Sequence, residues 1–168
     1  DKSFDYLCSF ISHCLLKPEE KPGICIVLIG GQGTGKGVFF QLMSSIWKHT
    51  TLLINNMDSI TGRFNSSLER NFIICLDEAL FVGDRKSRDR LKSMITEPTI
   101  TIEEKFQPTK TIGSYHRFFA ATNAEHFTHI ERDDRRFLFL RSGDSRKQDT
   151  SYFEELVKSF DDGKTLSG

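Results

Sequence analysis

Apolar residues recur along this 168-residue chain in two spacings, one typical of helices and one typical of strands. Between positions 6 and 15 they recur every three or four residues, which predicts an amphipathic helix. These residues are Tyr6, Leu7, Phe10, Ile11, Cys14 and Leu15. The next segment, 17–23, contains two prolines and is predicted to be a linker. Residues 24–29 then form a continuous apolar run, as in a strand of a parallel sheet that is covered on both faces.

Strand and helix patterns alternate through the rest of the chain, which predicts an α/β fold with a mostly parallel central sheet flanked by helices. Helices are expected at residues 36–48, 85–94 and 152–160, with one helical turn at 64–69. Further strands are expected at 51–54, 71–76, 99–104, 112–121 and 137–140. The strands at 99–104 and 112–121 enclose a predicted turn at 107–110, so they indicate a β-hairpin insertion.

Composition and charge narrow this picture only slightly. Acidic and basic residues balance at 23 each, so net charge gives no sign of a nucleic-acid partner. The four cysteines show no C-x-x-C spacing and are expected to be reduced core thiols. Neither a signal peptide nor an apolar run of membrane-spanning length is visible, so we expect a cytoplasmic protein without a membrane partner. Because the chain begins with Asp1 and not Met, we expect a fragment, with a helical segment at 1–20 and one domain at 21–168.

A glycine-rich loop follows the first predicted strand and reads Gly-Gly-Gln-Gly-Thr-Gly-Lys-Gly. A strand, a glycine loop, a lysine and a helix in this order predict a phosphate-binding loop (P-loop), in which backbone N–H groups and a helix N-terminus surround an anion. The predicted nucleotide-binding residues are Gly30, Gly31, Gln32, Gly33, Thr34, Gly35, Lys36, Gly37 and Val38. Lys36 is expected to bind the β- and γ-phosphates. Gly37 stands where a Ser or Thr hydroxyl normally ligates Mg²⁺, so the metal would depend on Asp77, phosphate oxygens and water molecules.

Polar residues follow two more strands at the predicted carboxyl edge of the sheet, where ligands of such sheets bind. Asp77 there can hold Mg²⁺, and Glu78 can deprotonate a water molecule aimed at the γ-phosphate. The amide of Asn123 can hydrogen-bond both that water and the phosphate. Arg135 or Arg136, just before the last strand, can stabilise charge that develops during phosphate transfer, in its own or a neighbouring subunit. Helix caps, turns and surface ion pairs are the ordinary alternatives for these residues.

The order of these segments resembles the superfamily 3 helicases, in particular the ATPase half of phage, plasmid and poxvirus-type primase-helicases. The resemblance covers about residues 24 to 140. It rests on the glycine loop, Leu-Asp-Glu, the segment 95–106, Phe-Phe-Ala-Ala-Thr-Asn and Asp-Asp-Arg-Arg-Phe. It implies an AAA+-like P-loop fold, ATP and Mg²⁺ as cofactors, a hexameric ring, and 3′-to-5′ movement on single-stranded DNA during replication in a bacterium or a virus-infected cell. It is also compatible with a primase domain in the same chain.

The resemblance assigns a role to each candidate residue. Lys36 matches the Walker A lysine, Asp77 and Glu78 the Walker B pair with Asp77 as metal ligand, and Asn123 the sensor asparagine. Arg135 and Arg136 both fit the arginine finger, and the sequence does not decide between them. The hairpin is expected to project into the channel of the ring, where Lys105, Lys110 and His116 would contact the DNA backbone and Phe106 would stack on a base.

Two other functions stay open at this stage. A nucleoside monophosphate kinase carries a similar loop. The presence of Asp77, Glu78 and Asn123 argues against a kinase. Such a kinase also needs an arginine-rich lid, for which residues 85–92 are the only candidate. That basic stretch is more simply a solvated helix face, or else a contact with phosphates or a neighbouring subunit. A non-hydrolysing, nucleotide-dependent assembly module would keep Lys36, and Gly37 permits it.

Overall fold

A five-stranded, wholly parallel sheet forms the centre of the molecule, whose computed structural model describes residues 2–78, 85–123 and 134–161. Its strands are β1 (Cys25–Ile29), β2 (Thr51–Ile54), β3 (Ile73–Asp77), β6 (Arg117–Thr122) and β7 (Phe137–Arg141). They lie in the order β2-β3-β6-β1-β7. This confirms the predicted α/β fold with a mostly parallel sheet.

The position of β6 decides what meets at the carboxyl edge of the sheet. β6 pairs with β1 on one side and with β3 on the other, and Ala121 lies opposite both Leu28 and Asp77. All six residues of β6 are buried, as a strand covered on both faces requires. The chain segments that leave β1, β3 and β6 therefore emerge side by side.

Helices cover both faces of the sheet. They are α1 (Lys2–Leu16), α2 (Lys36–Ile46), α3 (Asp58–Thr61), α4 (Arg85–Thr96) and α5 (Thr150–Asp161), with a 3-10 turn at Ser66–Leu68. Side chains from α1 and α2 pack on one face of the sheet, and side chains from α3 and α4 on the other. α5 lies against α2. No helix within the described ranges is long and apolar enough to cross a bilayer.

The predicted hairpin is present, but its second strand is shorter than expected. β4 (Thr99–Ile102) pairs antiparallel with β5 (Lys110–Gly113), and the chain then turns before it enters β6. The apolar run at 112–121, predicted to be one strand, therefore belongs to two sheets. The small α3 was not predicted either. Three of the four cysteines are buried as expected, whereas Cys8 is exposed; all four are free thiols.

A buried arginine ties the segment after α1 to the sheet. Arg117, the first residue of β6, is completely buried, and its guanidinium lies over the ring of Phe72 at 5.0 Å. Its Nη2 donates to the carbonyls of Lys17, Pro18 and Glu20 at 3.2, 3.1 and 2.5 Å. Its Nη1 donates to the carbonyl of Tyr115 at 2.7 Å. The guanidinium thus donates to carbonyls of the segment that follows the last turn of α1 and to the carbonyl of Tyr115.

Lys21 secures the same linker to the other face of the molecule. Its Nζ donates to the carbonyls of Met94 and Glu97, at the C-terminal end of α4, at 2.6 and 2.8 Å. It also donates to Ser114 Oγ at 2.6 Å. Burial lowers the pKa of Lys21 to about 8, with a smaller contribution from the nearby Arg117 charge. The predicted linker is therefore hydrogen-bonded both to the sheet and to the C-terminal end of α4.

We predict that Arg117→Met lowers the free energy of unfolding by about 3 kcal/mol or more, because it removes the hydrogen bonds that a buried guanidinium donates to four carbonyls. Arg88→Met is the control: Arg88 is exposed on α4, so the change should stay within about 0.5 kcal/mol. Unfolding in urea, followed by circular dichroism, measures both values. Equal stabilities of the two variants would show that the carbonyl contacts of Arg117 contribute little.

Candidate functional site

The glycine loop leads from β1 into α2 through two residues in the left-handed region of backbone space. Gly33 has φ 77° and Gly35 has φ 87°, which side chains other than glycine rarely tolerate. The loop is also crowded from outside, since a Cβ on Gly35 would lie 2.6 Å from the ring of Phe153 in α5. A Cβ on Gly30 would collide with the hydroxyl of Ser142, just after β7. Glycine is therefore required here by both conformation and packing.

Lys36 is the first residue of α2, and its ammonium group folds back over the loop. Nζ donates to the carbonyls of Gly30 and Gly31 at 2.8 and 2.9 Å, and it reaches Asn123 Oδ1 at 3.5 Å. The positive end of the α2 dipole lies at the same place. The loop, the lysine and the helix N-terminus thus gather positive potential at one point of the carboxyl edge.

The residues that follow β3 and β6 are tied to each other. The Glu78 N–H donates to the carbonyl of Ala121 at 3.0 Å, and the Asn123 N–H donates to Glu78 Oε2 at 3.3 Å. Glu78 has φ 53°, an uncommon conformation for a residue other than glycine. The structure therefore brings four of the predicted site residues together, with Asn123 bridging Lys36 and Glu78. The fourth, Asp77, is the last residue of β3.

These side chains open into a pocket of about 900 Å³, a size typical of small-molecule sites. One wall is formed by the glycine loop and the first turn of α2, and the floor by Asp77, Glu78 and Asn123. The other wall was not predicted. It consists of Gln148, Thr150, Phe153, Glu154, Val157 and Lys158, from α5 and the turn before it.

Long-range contacts hold α5 over the loop. The Gln148 N–H donates to the carbonyl of Gly33 at 2.9 Å, and the hydroxyls of Thr34 and Ser142 are 2.9 Å apart. The sequence predicted the helix from its apolar spacing. It held no signal for these contacts, because they join residues more than 100 positions apart.

Gly37 faces open space. A Cβ built on it has no neighbour within 4 Å, so nothing in the described part of the chain excludes a Ser or Thr side chain. A second pocket of about 650 Å³ adjoins the first and shares Gly37, Gln41, Asp77 and Val157 with it. The described structure therefore has room at position 37 for the hydroxyl side chain that this sequence lacks.

The structure places the two candidate arginines away from this pocket. Both precede β7, and the Cys25 N–H at the start of β1 donates to the Arg136 carbonyl at 2.7 Å. They therefore lie at the amino edge of the sheet, about 16 Å from the carboxyl edge for a five-residue strand. Arg136 pairs with Asp134 at 3.1 Å, and Lys92 of α4 pairs with the same carboxylate at 3.1 Å. Arg135 is exposed. The predicted residues 131–133 beside them lie outside the described ranges.

The other basic residues of α4 lie on an exposed helix face. Arg85, Lys86, Arg88 and Arg90 are all exposed. Arg85 only approaches Asp89, at 3.8 Å, with 91% of its side chain exposed. Lys92 is the exception because it reaches Asp134.

The hairpin presents two of its three predicted DNA contacts to solvent. Lys105 is exposed, and Lys110 is half-exposed and pairs with Glu69 at 2.6 Å. Phe106, at the hairpin tip, is fully exposed with φ 65°. His116 corrects the prediction, because it is only 5% exposed. The chain turns at this point from the hairpin into β6, which carries the imidazole inward.

His116 instead braces the base of the hairpin. Its Nε2 donates to the carbonyl of Leu68 at 2.9 Å, and its Nδ1 accepts from Ser114 Oγ at 3.0 Å. Burial lowers the pKa of His116 below its ordinary value of 6.5; the Leu68 carbonyl opposes this shift, and the charges of Lys21 and Arg117 add to it. The imidazole is therefore neutral in the folded protein at neutral pH.

Comparison with protein families places this site inside a matched region. The model of the family described as a family of unknown function (DUF5906) matches residues 28–136. These residues include the glycine loop, Asp77, Glu78, Asn123 and both candidate arginines.

The chain is similar to a phage protein and to solved structures of part of that protein. It is 29% identical over 152 residues to a DNA primase-polymerase of Nitratiruptor phage NrS-1, an alignment that covers 84% of this chain and 21% of that protein. An apo structure of the NrS-1 C-terminal region superposes with a TM-score of 0.78 at 28% identity, and covers 95% of this chain and 40% of that one. Another apo structure of this region gives 0.77 at 24% identity, with 95% and 39% covered. The chain thus spans about a fifth of the phage protein and is similar to part of its C-terminal region.

We predict opposite effects for two substitutions in the loop. Gly35→Ala should lower the free energy of unfolding by about 2 kcal/mol, because alanine at a left-handed φ is strained and its Cβ meets Phe153. Gly37→Ala should leave stability unchanged or raise it by up to about 1 kcal/mol, since Gly37 is helical and its surroundings are open. Thermal unfolding of both variants checks this. Equal effects would argue against the packing of α5 on the loop.

We predict that acid destabilises the fold partly through His116. Because its folded pKa lies below 6.5, the unfolded chain binds more protons as the pH falls through that value. The stabilisation of the fold by neutral His116 is therefore complete above about pH 6.5. Below that pH the free energy of unfolding falls, by at most about 1.4 kcal/mol per pH unit from this residue. His116→Gln should show a smaller loss of unfolding free energy between pH 7.5 and 5.5 than the wild type. His49→Gln, at an exposed position, should behave like the wild type; the same behaviour in His116→Gln would contradict the assignment.

Proposed function

The chain belongs to the DUF5906 family, and we propose that it is the ATP-hydrolysing motor domain of a replicative DNA helicase of the superfamily 3 type, which moves along single-stranded DNA. The observation that carries this proposal is the contact series Lys36–Asn123–Glu78 at the carboxyl edge of three adjacent parallel strands. It joins a phosphate-binding cation, an amide and a carboxylate within one pocket. In this proposal the domain is an AAA+-like P-loop ATPase.

Each residue of the pocket has a separate task in this proposal. The loop N–H groups and Lys36 bind the β- and γ-phosphates of ATP. Asp77, phosphate oxygens and water molecules are the oxygen ligands that Mg²⁺ prefers, and the metal would neutralise phosphate charge. Glu78 accepts a proton from the attacking water, and Asn123 orients that water against the γ-phosphate. The adenosine would lie between α2 and α5, beside Phe153 and Val157.

The strand order favours hydrolysis over phosphate transfer to a nucleotide. Because β6 lies between β1 and β3, Asn123 and Glu78 stand directly beside the phosphate loop, where an activated water is needed. Among the described residues, Lys36 and Lys158 are the cations that line the pocket, and no arginine does so. The arginine-rich lid of a nucleoside monophosphate kinase thus has no counterpart in this part of the chain.

The position of Arg135 and Arg136 is compatible with an assembly in which each subunit completes the site of its neighbour. Arg135 and Arg136 lie at the edge of the sheet opposite to their own pocket, so either one would act on ATP bound to a neighbouring copy. A hexameric ring provides such a neighbour at every site. We therefore include self-association and an arginine finger supplied in trans in the proposal.

Two observations support DNA as the partner: the basic residues of the hairpin and the similarity to the phage protein. Lys105 and Lys110 are accessible on the hairpin and suit sequence-independent contacts with phosphates. The similarity to the C-terminal region of a DNA primase-polymerase supports a role in replication. A priming or polymerising domain in the same polypeptide is proposed by analogy with that relative.

Gly37 favours a second candidate function for the domain. A module that binds ATP without hydrolysing it, and assembles or disassembles in response, needs the loop and Lys36 but not the metal-binding hydroxyl. The two candidates predict different results with the same variants.

We predict that purified protein releases phosphate from ATP and Mg²⁺, and that single-stranded DNA stimulates this turnover. Glu78→Gln should reduce turnover at least 100-fold, because the base is lost, while ATP binding is retained. Lys36→Ala should abolish binding. Glu19→Gln, a matched change at an exposed position after α1, should have no effect. Tight ATP binding without turnover, at concentrations at which the protein assembles, would replace the motor by the assembly module.

A further inference from the structure

An open space lies over the start of α2, at the position of the missing hydroxyl. Gly37 is the second residue of the helix and is exposed, and a Cβ built on it meets no described atom within 4 Å. Side chains of an α-helix lean toward its N-terminus, and a residue four positions later lies on the same face one turn away. The side chain that extends toward the space over Gly37 is therefore that of Gln41.

Gln41 borders the candidate site together with the carboxylate that is expected to hold Mg²⁺. Both the pocket of about 900 Å³ and the adjoining one of about 650 Å³ are lined by Gly37, Gln41 and Asp77. Gln41 is exposed, and its amide makes no hydrogen bond to another residue in the described part of the chain. The amide oxygen is thus accessible to a ligand that lies between the glycine loop and Asp77.

Two hydroxyls near the loop are poor substitutes for the missing one. The Thr34 hydroxyl is buried, donates to the carbonyl of Gly31 at 2.9 Å and lies 2.9 Å from the Ser142 hydroxyl. Ser44, almost one turn beyond Gln41, lines the second pocket but not the first. Among these side chains, Gln41 combines a free oxygen with a place beside Gly37.

The side-chain oxygen of glutamine has the chemistry that the metal requires. Mg²⁺ prefers oxygen ligands in near-octahedral geometry, and carbonyl oxygens are among those that suit it. An amide is also neutral, so it adds no charge beside the phosphates, just as a hydroxyl adds none. The side chains of residues four apart on a helix begin about 5–6 Å from each other. The length of the glutamine side chain compensates for this separation, which a shorter side chain at position 41 could not do.

We propose that Gln41 Oε1 replaces the hydroxyl that position 37 lacks and ligates the Mg²⁺ that accompanies the nucleotide. Gln41 and Asp77 would hold the metal from the protein side, and phosphate oxygens and water molecules would fill the remaining positions. The inference rests on the proposed function and adds Gln41, which the sequence patterns did not single out. Glycine at position 37 then gives room for a ligand from the next turn of α2.

The test compares binding of adenylyl imidodiphosphate, an ATP analogue that is not hydrolysed, in excess Mg²⁺ and in EDTA. Isothermal titration calorimetry of the whole chain gives both affinities, and their ratio is the contribution of the metal. Gln41→Ala should lower this ratio about tenfold and leave the affinity in EDTA unchanged. Gln107→Ala is the matched control, because Gln107 is exposed on the hairpin and lines neither pocket. It should behave like the wild type.

A second substitution separates a metal ligand from a merely structural residue. Gly37→Ser should restore the contribution of the metal in Gln41→Ala, since the space over position 37 admits the side chain. In the presence of Gln41 the same change should have little effect, because that position in the coordination shell is already filled. The non-additivity of the two changes then measures their shared role.

The outcomes separate this inference from the proposed function. If Mg²⁺ strengthens binding to Gln41→Ala as much as to the wild type, the role of Gln41 is wrong and the ATPase stands. Equal losses by Gln41→Ala in Mg²⁺ and in EDTA would also overturn it, because the residue would then contact the nucleotide itself. If the wild type binds the analogue equally with and without Mg²⁺, the inference is wrong and the assembly module is favoured. If it binds under neither condition, the proposed ATP site is wrong as well.

Discussion

The pairing of β6 with both β1 and β3 is the constraint on which the rest of the structure depends. It buries six consecutive residues and aligns the carboxyl ends of three strands. At that edge Asn123 reaches Lys36 on one side and Glu78 on the other. At the opposite end of the same strand, Arg117 binds the carbonyls of the segment after α1. One strand thus connects the candidate site to the N-terminal part of the chain.

Close packing and unusual backbone angles mark the described residues of the candidate site. Gly33 and Gly35 adopt left-handed conformations, and α5 packs so closely that the loop has no room for a Cβ at Gly35. Glu78 is also held in an uncommon conformation by its contacts with β6. Such strain persists only where the surrounding structure enforces it.

The two proposed activities lie at opposite edges of one sheet. The pocket opens at the carboxyl edge, whereas the base of the hairpin and the two arginines lie at the amino edge. Strands of five or six residues separate these edges by about 16 to 20 Å. Asn65 and His116 make the hairpin and the segment beside it one body with the sheet.

Local patterns in the sequence determined a large part of this description. The strands, the principal helices, the glycine loop and the hairpin were predictable, because apolar spacing and turn residues act over a few positions. That Lys36, Asp77, Glu78 and Asn123 meet was also predictable, since the ends of parallel strands share one edge. Only the tertiary structure decided that α5 closes the pocket, that the arginines lie at the far edge, and that His116 is buried. These features depend on contacts between residues far apart in sequence, whose geometry is set by the packing of the whole domain.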